Sequence, residues 1–292
     1  MALDESEFLL EMRVAARDFK GSASMRRSLR WMECLGLAVA LLLAGPLWML
    51  ATDRVELDGH WRTADREPAG LAPTPAQAPE AVVQVYAARA FHWRGAFGVH
   101  TWIATRETGA EAYRMHHVLS WRRPALQSRS TPSPDRAWYG NAPALLADYR
   151  GGQAATLIPD IEAAVARYPA PSTYRAWPGP NSNSFTAWVI REVPGFEVVL
   201  PVTAVGKDYL FDGVLVGATG GRGMTGSLGG VFGLTLGRDE GIEINLLGLS
   251  LGVDLLRPAL KLPGVGRLGM APSSRGKEKG GVAGDSETRA NR

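Results

Sequence analysis

Cysteine is almost absent: Cys34 is the single one in 292 residues. No disulfide can form within the chain, no cysteine cluster can hold a metal, and a thiol nucleophile beyond the N-terminal segment is excluded. An excess of one charge is equally lacking. There are 32 Lys and Arg against 29 Asp and Glu, a net charge of +3. No basic stripe interleaves with aromatics, so nucleic acid is not an expected partner. No H-E-x-x-H or similar spacing occurs, and no metal site or cofactor is expected. Tryptophan stops at Trp188, and apolar side chains nearly stop after Met270. The hydrophobic fraction, 46%, still suffices for the core of one ordinary domain or two small ones.

One long apolar run is present. Leu35 to Ala51, LGLAVALLLAGPLWMLA, carries no charge and with its flanks is just long enough to cross a bilayer as a helix. Arg26, Arg27 and Arg30 precede it, and Asp53, Glu56 and Asp58 follow around Arg54. The positive-inside bias then predicts a cytoplasmic N-terminus and an exported chain after residue 52. Cys34 lies before the run, which excludes a lipoprotein signal. No small-x-small site follows the run, so an uncleaved anchor is expected rather than a signal peptide. The organisation read from this is a cytoplasmic tail over 1–24, a transmembrane anchor over 25–52, and a Pro-, Ala- and Gly-rich extended linker over 53–80.

Residues 81–212 read as an α+β domain. AVVQVYAARAF (81–91), FGVHTWIATR (97–106) and YRMHHVLSW (113–121) are rich in β-branched and aromatic residues and predict strands. Residues 122–141 predict a loop. PALLADYR (143–150), GQAATLIPDIEAAVARY (152–168) and SNSFTAWVIREV predict helices; in the second, Leu157, Ile161, Ala164 and Val165 recur at helical spacing. Over 213–269 glycine becomes frequent and apolar residues alternate with polar ones: Ile242, Ile244 and Leu246 against Glu243 and Asn245. Period two with glycine turns predicts an antiparallel meander with one buried face. GRGMTG (221–226) matches a dinucleotide-binding spacing, but strand rather than helix is expected after it, so it reads as a turn. Residues 270–292 are expected to be disordered.

The chemistry candidates gather around Pro178–Trp188, PGPNSNSFTAW. Asn181 to Ser184 stand where a helix begins, and the free N–H groups there favour a developing anion. A serine at that point still needs a base. His100 lies within one strand and His116 and His117 on the next; alternation lets only one of the latter pair share a face with His100. The same polar residues are also preferred helix caps, and a strand histidine beside Trp102 also suits a core. Tryptophans 61, 93, 102, 121, 138, 177 and 188 crowd the first part of the chain, enough to line a groove for a sugar or acyl chain or to fill a core.

FHWRGAFGVHTWIATR, the WYGN and LLADYRG blocks, YRAWPGPNSNSFTAWVIREVP, AVGKDYL and EGIEINLLGLSLGVDLLRPALKLPGVGRLG together resemble domain-of-unknown-function family 3750, over roughly residues 80–270. The resemblance implies no activity. The order of strand His, next-strand polar residue and helix-opening nucleophile is also similar to the circularly permuted papain-like hydrolases of the lecithin–retinol acyltransferase and NlpC type. Their Asn-Cys-x-x-Phe helix start aligns with Asn181, Ser182 and Phe185, with serine replacing the thiolate. That likeness implies a hydrolase or acyltransferase-like protein acting on amide or ester bonds: Ser182 attacks, His100 takes its proton, His116 or His117 orients the imidazole, and backbone N–H groups hold the oxyanion. Asn181, Asn183, Trp102, Trp177 and Arg175 would contact substrate. The other expectation is a non-catalytic envelope module binding a peptide, glycan or lipid. Either is expected as a single-pass bacterial inner-membrane protein with its C-terminal domain periplasmic, holding the bilayer through residues 35–51 and facing a cell-wall or lipid substrate.

Overall fold

The structure, a computed structural model, describes residues 29–272. The expected cytoplasmic tail at 1–24 and most of the expected disordered tail lie outside the described residues. The described residues fall into two compact units that divide between Ala44 and Gly45. Helix α1 (Leu29–Ala51) is long and apolar enough to cross a membrane, with a mean hydropathy of 2.2 in its most apolar window. Its last residues, from Gly45, belong to the second unit.

That unit is α+β and holds two antiparallel sheets. The first has the order β4-β3-β2-β1-β5, from β1 (Val82–Arg89), β2 (Val99–Arg106), β3 (Tyr113–Val118), β4 (Leu126–Thr131) and β5 (Ala144–Arg150). Strands β1 and β2 are interior and buried on both faces; β1 is accordingly a nearly continuous apolar run, while β2 buries His100, Thr101, Thr105 and Arg106 among its apolar residues. One face packs against α2 (Gly151–Arg167) and α3 (Ser182–Glu192): Val83, Val85 and Ile103 join Leu157, Ile161, Phe185 and Val189 in one core. The other face, called here the open face, buries Tyr86, Trp102, Tyr113 and Met115 beneath Leu71, Ala72 and Trp138. Pro159 sits inside α2; both it and Ala155, whose carbonyl loses its partner, face solvent, so water can satisfy the missing bond.

Three expectations need correction. The helix expected over 143–150 is strand β5, because its Leu- and Ala-rich sequence meets the free edge of β1 and pairing overrides helix propensity. The loop expected over 122–141 contains β4, a polar edge strand whose exposure erases the apolar alternation. Residues 53–80 are no free spacer: Val55 and Ala78 are buried, Pro68 bridges to Arg136, and the Asp135 carboxylate accepts from the backbone N–H of Leu71 (2.6 Å) and Ala72 (3.1 Å).

The second sheet is the expected meander, β6 (Leu215–Gly217), β7 (Gly223–Leu228), β8 (Phe232–Gly237), β9 (Gly241–Leu246), β10 (Leu249–Asp254), β11 (Ala259–Leu262) and β12 (Gly266–Gly269), in simple sequential order. Gly221–Gly226 turns into strand β7, as read from the sequence. The buried face is the polar one. Thr225, Thr235, Glu243, Asn245 and Lys261 are buried, whereas Met224, Leu234, Leu236, Ile242 and Ile244 are exposed.

Candidate functional site

Helix α3 begins at a fully engaged cap. The Asn181 side-chain carbonyl accepts from the N–H of Asn183 (2.9 Å) and of Ser184 (3.1 Å), and the Ser184 hydroxyl accepts from the Asn181 N–H (3.3 Å), a reciprocal capping box. The Asn181 amide donates to the carbonyls of Ala176 and Val205, both at 3.0 Å. Asn183 donates to Val99 (3.0 Å) and Val205 (2.8 Å) and accepts from the Thr101 hydroxyl (3.0 Å). Thr101 also donates to the Ser182 carbonyl (3.3 Å). These side chains fasten α3 to β2 and to the 199–206 segment, and the polar character of the motif is spent on that work.

Alternation decides where the bases lie. Thr101 points to the helix face, so His100 points to the open face. His116, paired with Ile103, shares the helix face, where its Nε2 meets Glu162 (2.9 Å) and its Nδ1 meets Ser128 (2.8 Å). Burial pushes Glu162 up, but the hydrogen bond and charge of His116, together with Arg114, hold it below the usual carboxylate range. His117 shares the open face with His100: His100 Nε2 and His117 Nδ1 stand 3.5 Å apart. The sheet thus brings His100 and His117 together and separates both from Ser182. Among the described residues no hydrogen bond joins Ser182 to an imidazole. The expected Ser182–His100 dyad is not assembled, because the strand puts Thr101 where the base would have to be.

The open face carries a cleft of about 360 Å³. Trp102, Met115 and His117 from the sheet line it, with Trp121, Trp138 and Tyr139 from the connections on either side of β4. Trp138 stacks flat on the His100 ring, centroids 3.9 Å apart and planes 12° apart, and meets Tyr139 edge-on. The indole of Trp102 donates to the Pro134 carbonyl (2.9 Å), which fixes the loop that carries Trp138. Arg66, Arg122, Arg129 and Arg136 complete the wall, and no carboxylate lines it. Arg66 lies over the Tyr139 ring at 4.5 Å. None of the four is ion-paired among the described residues. At the cleft floor His117 Nε2 is buried and without a partner. Burial, followed by His100, Arg129 and His116, pushes the His117 ring well below its ordinary value, and burial pushes His100 down to about 3. Both rings are therefore neutral near pH 7, each carrying one N–H, and the contact between them holds one of the two.

Of the substrate contacts expected from the sequence, only Trp102 belongs to this cleft. Trp177 lies elsewhere and donates to the Leu247 carbonyl (2.8 Å) in the second sheet; Arg175 is exposed, and Asn181 and Asn183 are structural. The arginines and Tyr139 carried no sequence signal, because the edge strand β4 brings in Arg129 and irregularly spaced connections bring in the others; Trp121 and Trp138 stood out only by aromatic density. No group of three or more His, Cys, Asp or Glu is placed to hold a metal ion among the described residues.

Residues 80–209 match the model of a family described as Protein of unknown function (DUF3750). No curated protein and no solved structure matches the chain.

Proposed function

We propose that this chain, whose residues 80–209 match the DUF3750 family model, is a membrane-anchored envelope protein that binds an anionic glycan in the arginine–tryptophan cleft. The observation that carries this reading is the lining: four arginines that form no ion pair among the described residues, with Arg66 held by the Ala64 and Trp61 carbonyls, beside indole and phenol faces and with no carboxylate in the wall. Guanidinium forks suit carboxylate or phosphate oxygens, and flat aromatic faces suit the C–H faces of sugar rings.

Helix α1 supports the anchor, and the arginines that precede it support an orientation with the cleft outside the bacterial inner membrane, in the periplasm. Hydrolysis through Ser182 draws no support, since its helix start is a cap and its base faces the other way.

The test is calorimetric titration of the detergent-solubilised full chain with a glucuronate-terminated disaccharide and with its neutral glucose counterpart. Binding of the uronate alone, weakened about tenfold in Arg129→Ala, is expected; a charged hydrogen bond is worth roughly 1.5–3 kcal/mol. Equal binding of the two sugars, or of neither, would overturn the reading.

A further inference from the structure

The second sheet is built inside out for a water-soluble surface. Its cross-strand register sets Met224 beside Leu236, Leu236 beside Ile242, Ile242 beside Val253, Val253 beside Leu260 and Leu260 beside Leu268. One apolar row thus crosses six strands, and all six side chains are exposed. A neighbouring row sets Leu234 beside Ile244, also exposed. A monomeric soluble protein rarely leaves so continuous an apolar surface in water.

The opposite face explains why the sheet cannot simply turn over. Glu243, 2% exposed, accepts from Lys207 Nζ (2.8 Å) and Lys261 Nζ (2.5 Å), and Asn245 donates to Asp208 (3.0 Å). Exchanging the faces would strand these charges. The apolar rows are committed to the outside.

The occupant follows from where the chain leaves the membrane segment. Gly45 and Pro46, near the end of α1, lie against Pro263, Gly264 and Val265 in the β11–β12 turn of this same sheet. The approach is so close that a Cβ on Gly45 or Gly264 would collide with the partner backbone. Arg89 ties the turn further, donating to the carbonyls of Gly264 and Val265. Met49 is buried with Val55 and Ala96. No slack separates the end of the apolar helix from the sheet.

We infer that the apolar face of the β6–β12 sheet is a monotopic membrane surface, seated in the headgroup–acyl boundary of the bilayer that α1 enters. This rests on the anchor reading above. Two contacts, one spanning and one lying flat, would fix the orientation of the body and with it the aim of the cleft.

The test uses the full chain in nanodiscs of phosphatidylethanolamine and phosphatidylglycerol. In a Cys34→Ser background, single nitroxide-labelled cysteines replace Leu236, Ile244, Leu41 within α1, and the exposed Glu111 in the connection between β2 and β3. Collision with oxygen and with a polar nickel chelate reports depth. Labels at 236 and 244 are expected about 5–10 Å below the headgroups, with the label at 41 lipid-like and the label at 111 in water. Water-like labels at 236 and 244 beside a lipid-like label at 41 would overturn the surface and leave the anchor standing. Labels at 236 and 244 shielded from both reagents and broadened by spin–spin contact would assign the face to a second copy instead. A label at 41 that is water-like, or lost by cleavage, removes the anchor, and the surface then fails with it unless 236 and 244 remain at depth.

Discussion

The His100 ring and the Ser182 residue belong to opposite faces of one sheet. Thr101, the residue between two outward turns of the same strand, hydrogen-bonds the Ser182 carbonyl from the helix face, while His100 stacks on Trp138 on the open face. A shift of one residue in β2 would have reversed this, because strand side chains alternate with period two. The register with β1, Ala88 beside His100 and Tyr86 beside Trp102, holds β2 in place through buried apolar side chains on both faces. Chemistry and capping are thereby divided between two surfaces.

Substitution at the helix start should separate a cap from a nucleophile. Asn181→Ala removes two buried hydrogen bonds accepted from backbone N–H groups and two partly buried ones donated to carbonyls, and is expected to cost about 2 kcal/mol or more. Ser182→Ala should cost under about 1 kcal/mol. Urea denaturation of each variant measures both. A serine-directed fluorophosphonate is expected to leave Ser182 unlabelled; labelling there that His100→Phe abolishes would restore the dyad.

What the sequence disclosed follows the strength of its local signals. Periodicity announced α2, α3 and the meander, and β-branched and aromatic content announced β1 and β2. The strand β5 was hidden, since its Ala and Leu residues favour a helix locally and only the edge of β1 turns them into a strand. The alternation of Ile242, Glu243, Ile244 and Asn245 disclosed two faces but not which one is inside. That depends on Lys207 and Asp208, distant in sequence, being brought over Glu243 and Asn245. The cleft was the least legible part: Arg66, Arg129, Arg136 and Tyr139 come from separate connections and strands, and no spacing links them.

Acid should destabilise the fold before carboxylates titrate. Unfolded imidazoles titrate near 6.5, whereas burial holds His100 near 3 and His117 well below its ordinary value. Above pH 6.5 both states are neutral and these rings add no pH dependence. Below it the unfolded chain binds protons that the native rings refuse, so stability falls with pH, by up to about 1.4 kcal/mol per unit for each ring. The urea midpoint is expected to drop between pH 7 and 5, with a visibly shallower slope in His100→Phe. An unchanged slope in that variant would mean that the native ring is open to protons.

Removing the Trp138 ring should affect the cleft more than the fold. Its indole stacks on His100 and borders Trp121 and Tyr139, so Trp138→Ala uncovers the histidine pair and removes the central flat face. A loss of uronate affinity of about tenfold is expected, in line with stacking contributions near 1 kcal/mol plus lost burial. The variant should also regain His100 titration nearer 6.5, readable as a shift of its imidazole proton resonances with pH.

Charge balance under the second sheet offers the sharpest stability contrast. Glu243 is the shared acceptor of Lys207 and Lys261, and Asp208 receives the remaining contact of Lys207 (3.2 Å) and that of Asn245. The nearby Asp208 and Glu243 carboxylates outweigh the burial of Lys207 and raise its affinity for the proton, so the ammonium persists inside the protein. Glu243→Ala leaves two buried ammonium groups short of an anion and is expected to cost about 3–5 kcal/mol. Replacing all three by apolar residues, Lys207→Met with Glu243→Leu and Lys261→Met, removes the desolvation cost together with the attraction and is expected to recover most of that loss. The Asp208 carboxylate, still bonded to Asn245, would then limit the recovery, and adding Asp208→Asn should complete it. Thermal denaturation of the four chains in the same detergent would measure the series. If Glu243→Ala unfolds no earlier than the parent chain, the buried polar face is hydrated, and the sheet is then free to present either side to its surroundings.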